Sequence, residues 1–259
     1  MTKLHSFGAR PRPTRPSPNA HIAGRMSPTE PRVSAYSLSG SIEQMGSAMS
    51  FLRDAEIYRE NGPANYLYKV IRGTVRTYKA LSNGRRQIRA FYMPGDIFGL
   101  EIAEAHAFSA EAVTDAELLV IKRSAVVALA ARDHDIARQL WSLTSRELEH
   151  VRGHVLLLTQ SAQERVAGFL LQMANRVPAG DEVELPMSRR DIADYLGLTI
   201  ETVSRTLTQL ERGAAIALPT SRRVVLRSRS ALSRLNAESG WRLRGSARHT
   251  SLKSFGSKH

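Results

Sequence analysis

Five side chains suited to holding or reading a polyanion fall close together. Glu201, Thr202, Ser204, Arg205 and Thr208 bring a carboxylate, three hydroxyls and a guanidinium into one short segment. Val203, Leu207 and Leu210 interleave with them at spacings of four and three. A helix here buries the apolar set and turns the polar set outward. The outward set suits base-pair edges: Arg to guanine O6 and N7, Glu to a cytosine amino group, hydroxyls to base or phosphate. Taken alone, such a face also fits an ordinary surface helical hairpin.

The residues ahead of it narrow the choice. Ser188 is placed to cap a first helix whose apolar face is Ile192, Ala193 and Leu196. Ala193 is small enough for two helices to cross closely. Gly197 can end the first helix in the left-handed conformation, Leu198 plugs the turn, and Thr199 can cap the second helix. The pattern predicts a helix-turn-helix over about 188–207, and the N-terminal residues of such a second helix enter the major groove. Beyond it, Ala214–Arg227 reads as a β-hairpin around Pro219-Thr-Ser221. Its Arg222 and Arg223 either approach the DNA backbone or sit on a solvated turn. Double-stranded DNA is the expected partner.

Other clusters are weaker. His150 and His154, four apart, share a helix face. With no third ligand at matching spacing, a solvated or interhelical pair is expected rather than a metal site. Glu101, Glu104, His106 and Glu111 crowd one stretch that reads as a surface loop. No phosphate-cradling loop, nucleophile elbow or zinc-protease motif occurs, so no enzyme activity and no cofactor is expected.

The elements that must carry these residues follow from spacing. Asn65–Ile71, Thr74–Lys79, Gln87–Tyr92 and Glu117–Ile121 read as short strands, with Asn83-Gly84 as a hairpin turn and Pro94-Gly95 as another. They predict a small all-β sandwich or barrel from about Leu52 to Ile121. A long helix then starts at Asp133 or Asp135 and runs to about Leu158. Its stripe of Ile136, Leu140, Leu143, Leu148, Val151, Val155 and Leu158 is close to a heptad seam, and a second copy of the chain is its simplest partner. The expected dimer contacts are Ile136, Leu140, Leu143, Val151, Val155 and Leu158; packing wholly within one chain is the other reading. Trp141 is expected in the core. Gln163–Arg176 is a further helix, and Val183-Glu-Leu185 a short strand.

Composition agrees. The net charge of +13 is concentrated at the ends: six Lys and Arg against one acid over 1–35, fifteen against fourteen over 36–159, sixteen against nine over 160–259. Basic ends suit a polyanion, or are simply solvated. Met1 to about Pro31, with six prolines, reads as disordered. No stretch approaches the roughly 20 apolar residues of a membrane span, and Met1–Arg32 has no apolar core of a secretory signal; a cytoplasmic location is expected. With no cysteine, disulfides, thiolate metal sites and thiol redox switches are excluded.

In its order of elements the chain resembles the Crp–Fnr superfamily of bacterial regulators. Glu201-Thr-Val-Ser-Arg205 resembles the reading motif of the Fnr branch, Pro94-Gly-Asp-Ile-Phe-Gly99 a turn of the sensory β-roll, and Leu156–Phe169 the hinge and first DNA-domain helix. The resemblance implies an α+β fold: a cyclic-nucleotide-binding-like β-roll (36–132), a dimerisation helix (133–158) and a winged helix-turn-helix (159–232), flanked by basic tails (1–35 and 233–259). It also implies a homodimer acting with RNA polymerase on palindromes of TTGAT half-sites. Two departures matter. Oxygen-sensing Fnr proteins hold their cluster with N-terminal cysteines, which this chain lacks. Cyclic-nucleotide binders carry an Arg-Ser-Ala-like stretch whose Arg holds the cyclic phosphate; here it is Phe108-Ser-Ala110. Together they point to the FixK-like branch, activators of low-oxygen and nitrogen-fixation genes. The alternatives are a Crp-type regulator gated by another small molecule through a pocket around Gly95–Ala110, and an interaction protein with a vestigial helix-turn-helix.

Overall fold

A computed structural model describes residues 40–101, 103–176 and 181–237. The tail expected over 1–35, Trp241 and the rest of the C-terminal tail past Ala237, and the Pro178-Ala-Gly180 part of a loop lie outside them. In chain order the elements are α1 (Gly40–Glu43), β1 (Ser47–Phe51), β2 (Glu56–Tyr58), β3 (Tyr66–Arg72), β4 (Val75–Ala80), β5 (Arg86–Tyr92), β6 (Ile97–Phe98), β7 (Ser109–Ala112) and β8 (Ala116–Lys122). Then come α2 (Arg123–Ala130), α3 (His134–Leu158), α4 (Ala162–Ala174), β9 (Glu182–Glu184), α5 (Arg189–Leu196), α6 (Ile200–Arg212), β10 (Ile216–Ala217), β11 (Arg223–Leu226) and α7 (Arg229–Ala237).

The first eight strands make two antiparallel four-stranded sheets, ordered β1-β8-β3-β6 and β2-β7-β4-β5. Tyr68, Val70, Val75, Ala90, Tyr92, Phe98 and Leu118 fill the space between them. The hairpin expected at Asn83-Gly84 joins β4 to β5. It is wider than a two-residue turn: Leu81 N donates to Arg85 O at 2.8 Å, and Gly84 takes the positive φ of +78°. That is a three-residue loop with its glycine in the left-handed position.

Asp133 caps α3, its side chain accepting from Asp135 N and Ile136 N. Two of the expected dimer contacts, Ile136 and Leu143, are buried in a core with Ile42, Leu67, Ile97, Ile121 and Val126, and Leu140 packs against it. These three face the chain's own β-roll, because a helix this long must rest one side on its own domain. Trp141, expected in the core, is instead 76 % exposed. Trp141, Leu148 and Val155 stand exposed at intervals of seven residues, with the half-buried Val151 and Leu158 on the same side.

Ser161 opens α4 with a reciprocal capping box to Glu164. Helices α4 to α7 and the sheet β10-β11-β9 surround one core containing Phe169, Leu170, Ile192, Tyr195, Leu196, Val203, Leu207 and Leu210. Ile88, Phe91 and Val113 of the β-roll belong to the same core, so the two halves share apolar contacts.

Candidate nucleic-acid interface

The helix-turn-helix forms as its residue types dictate. Ser188 caps α5 in a capping box with Asp191: Ser188 Oγ accepts from Asp191 N at 3.1 Å, and Asp191 Oδ2 accepts from Ser188 N at 2.9 Å. Gly197 ends α5 at φ +63°, which L side chains adopt at a cost. Arg165 Nη1 donates to Leu196 O at 2.9 Å, placing a cation on the carbonyl end of α5. Thr199 caps α6, accepting from Thr202 N at 3.2 Å.

Val203, Leu207 and Leu210 of α6 are buried, and so is Thr206. Glu201, Ser204, Arg205 and Thr208 are exposed on the opposite side, with Thr202 half-buried at its edge. The Glu201 carboxyl is held below its usual range, first by its own backbone N–H, then by the Thr199 hydroxyl, with Arg205 adding to it. Thr208 donates to Ser204 O at 3.1 Å, so its hydroxyl keeps only acceptor capacity for a partner. The Arg205 guanidinium makes no hydrogen bond among the described residues. The arrangement sets an ionised carboxylate and an available guanidinium side by side at the start of a solvent-facing helix.

The wing hairpin forms between β10 and β11, with β9 added on the far edge. Arg222 and Arg223 lie exposed at its turn, but Arg223 is already paired with Glu182 of β9. Arg222 is therefore the better placed of the two for a phosphate.

The β-roll holds a cavity of about 400 Å³ whose walls include Arg89, Tyr92, Phe98, Glu101, Phe108 and Glu147. Arg89 Nη2 donates to Glu147 Oε1 at 2.7 Å, joining β5 to α3. Tyr92 Oη donates to the same oxygen at 3.3 Å, and the Arg89 guanidinium lies 5.1 Å from the Phe108 ring centre. The acidic stretch expected as a surface loop is split by the fold. Glu104 is exposed, Glu111 turns into an ion-pair network, and His106 is buried, stacked on Tyr58 at 3.6 Å and 3.5 Å from Glu101.

His150 and His154 are half-buried and lie between helices, the second of the two expected settings. The Gln172 amide donates to His150 Nδ1 at 3.4 Å, and the His154 ring lies 4.2 Å from that of Tyr195. Burial pushes both imidazoles down to about 4, helped by Arg176 at His150 and by His150 itself at His154. Among the described residues no group of three or more His, Cys, Asp or Glu side chains could hold a metal ion.

Sequence reasoning missed the ties between β-roll and helix-turn-helix. Arg76 of β4 reaches Asp191, Gln87 Nε2 donates to Asp194 O at 2.8 Å, and Arg176 Nη1 donates to Asp96 Oδ2 at 2.5 Å. The signal available in the sequence was a polar side chain, Arg76 in β4 and Gln87 in β5, within a strand pattern whose alternation alone assigns it to solvent.

Residues 164–235 match the Crp-like helix-turn-helix domain, and residues 48–133 match the cyclic nucleotide-binding domain. The chain is 49 % identical over 202 residues to the nitrogen fixation regulation protein FixK of Azorhizobium caulinodans, covering 76 % of this chain and 82 % of that protein. It is 41 % identical over 181 residues to the FixK of Bradyrhizobium diazoefficiens, covering 68 % and 76 %. The solved structure of FixK2 from Bradyrhizobium japonicum superposes with a TM-score of 0.72 at 49 % identity, covering 74 % of this chain and 98 % of that one. With its helix-turn-helix and its β-roll each accounted for, this chain belongs to the FixK branch of the Crp–Fnr superfamily of transcription regulators.

Proposed function

We propose that the chain activates nitrogen-fixation and low-oxygen genes in the cytoplasm, binding palindromes of TTGAT half-sites as a homodimer and acting with RNA polymerase. The observation that carries this reading is the outward face of α6, where Glu201, Ser204 and Arg205 stand exposed over the buried Val203, Leu207 and Leu210. Arg205 pairs with the guanine and Glu201 with a cytosine amino group. Thr202, Thr208 and Arg222 hold backbone or neighbouring bases, while Arg223 must first leave Glu182. The stripe of exposed Trp141, Leu148 and Val155 with half-buried Val151 is the dimer seam, and Leu158 closes it at the hinge. On this reading the sensor spans 36–132, the dimer helix 133–158 and the reading domain 159–232.

Selection of bound sequences from random duplexes tests the reading. It should return the palindrome, and Arg205→Ala should cost about 1–3 kcal/mol at the guanine and relax preference there. No palindrome, or unchanged preference, refutes the assignment. Val155→Glu buries charge at the seam and should give monomers with weak operator affinity in sedimentation and gel shift.

One observation favours a second reading, a regulator gated by a small molecule. Glu101 Oε2 is buried beside the cavity without a hydrogen-bond partner among the described residues. A small hydrogen-bond donor would satisfy it.

A further inference from the structure

Arg76 lies on the β-roll, yet its guanidinium is shared with the DNA-reading half. Its side chain is 7 % exposed. Nη1 donates to Asp191 Oδ1 at 2.9 Å, and Nη2 donates to Glu111 Oε1 of β7 at 2.9 Å, with Asp54 at 3.5 Å. Asp191 is 5 % exposed and divides its two oxygens. Oδ2 accepts from the Ser188 backbone and hydroxyl, closing the cap of α5. Oδ1 accepts from Arg76. Arg86 of β5 reinforces the junction, 3.5 Å from Asp191, 3.6 Å from Glu111 and 3.9 Å from Asp194.

We infer that Arg76, supported by Arg86, is a positioning residue for DNA reading: it fixes α5, and through α5 the reading helix, at one angle to the β-roll. The physical reason is a division of labour. Ile88 and Phe91 of the β-roll pack on the Tyr195 side of α5, with the Phe91 and Tyr195 rings 5.3 Å apart. Apolar burial of this kind is strong but non-directional, and tolerates sliding and rotation. A planar guanidinium with one nitrogen on each of two carboxylates does not. Moving α5 by a few ångströms would leave Arg76, Glu111 and Asp191 buried and unpaired, which is costly. Asp191 also couples the junction to local structure, because the carboxylate gripped by Arg76 is the one that caps the first helix. The Arg176–Asp96 pair ties the far end of α4 to the roll, and Gln87 Nε2 holds the Asp194 carbonyl toward the end of α5, so neither grips the first turn of α5.

A dimer must present two reading helices at the spacing of two half-sites, so free rotation of α5 costs affinity in proportion to the fraction of chains correctly set. The inference rests on the proposed reading face, but its test separates the two. The chain has no cysteine, so cysteines introduced at the exposed Ser82 and Gln209 are the sole labelling sites. Pulsed electron-spin distance measurement on the full-length, DNA-free protein should give a narrow Ser82–Gln209 distribution within each chain. Labelled chains are diluted in unlabelled ones to isolate that distance. Arg76→Gln should broaden the distribution, lower operator affinity tenfold or more, and leave base preference and non-operator binding unchanged, since Arg76 touches no DNA in this arrangement. Arg86→Gln, at a side chain 30 % exposed, should broaden it less in the same direction. If Arg76→Gln fails to fold, the Arg86 variant decides. An unchanged distribution in a folded variant overturns the inference, as does unchanged operator affinity. A changed base preference would instead make Arg76 part of the reading surface.

Discussion

The reading helix and the β-roll cavity treat charge in opposite ways. On α6 the apolar residues point inward, while Glu201 and Arg205 are left to solvent with no carboxylate–guanidinium hydrogen bond between them. In the cavity the charges point inward, and Arg89, Glu147 and Tyr92 satisfy one another across two elements. One site is unfinished without a partner from outside the chain. The other has found its cation and anion within the chain, and that pair ties the sensory sheet to α3. In a fold whose β-roll matches a cyclic nucleotide-binding domain, an internal ion pair at the cavity wall joins β5 to α3. Substitutions in the first region should therefore change binding, and substitutions in the second should change stability.

Acid gives the largest expected effect, because it charges groups that face inward. His150 and His154 stand at about 4 in the folded chain, against 6.5 for the free imidazole. The unfolded chain binds more protons between those values. The stability contribution is therefore complete above about pH 6.5 and lost as pH falls toward 4. Each pH unit in that window is worth up to about 1.4 kcal/mol per imidazole. Denaturant titrations across it should show the slope, and replacing both residues by Gln should flatten it. A slope that survives the double substitution would assign the acid sensitivity to carboxylates that the fold holds below their usual range.

Breaking the cavity pair comes next. Glu147→Ala leaves the Arg89 charge without its partner, with only 28 % and 24 % of the two side chains exposed. Losing one member of a buried pair costs about 3–5 kcal/mol, and partial exposure reduces that to roughly 2–3 kcal/mol. The denaturation midpoint reads it directly. The matching change on α6, Ser204→Ala, should shift stability by no more than about 0.5 kcal/mol while weakening operator binding. If both variants lost the same stability, the contrast between the two regions would fail.

The same contrast explains what the sequence made legible. The helix-turn-helix could be read residue by residue because it is local: caps, the turn glycine and the apolar spacing of four and three all lie within about 25 residues. The strands beside turn signals were legible for the same reason. β1, β2 and β7 were not, since they are short and pair with strands distant in sequence. The stripe on α3 was visible, but its two faces were not separable. Ile136, Leu140 and Leu143 look like Val151 and Val155 until the β-roll covers one side. Arg76, Asp191, Arg89 and Glu147 escaped notice because nothing in a strand or helix pattern shows that a charged side chain will meet its counter-charge 58 or 115 residues away.

The smallest expected effect is the most discriminating: adding cAMP or cGMP should do nothing. A cyclic phosphate buried in the cavity needs a cation, and among the described residues the only one lining it is Arg89, already bonded to Glu147. Glu101 and Glu147 add two carboxylates to the same walls, so the lining repels an anion. Phe108, where a phosphate-binding Arg is expected from the resemblance, packs under the Arg89 guanidinium instead of supplying charge. To bind, the nucleotide would have to strip Arg89 from Glu147 and strand the glutamate, a loss that its own phosphate contact could at best balance. Calorimetric titration should therefore be flat, and operator affinity at one fixed salt concentration should be unchanged by saturating nucleotide. Glu147→Gln sharpens the test, for it removes one negative charge and frees Arg89. If weak nucleotide binding appeared in that variant alone, the internal pair would be what closes the cavity. If the parent chain bound nucleotide and tightened on its operator, the cavity would be a working sensor site and the contrast drawn between the two regions would be wrong.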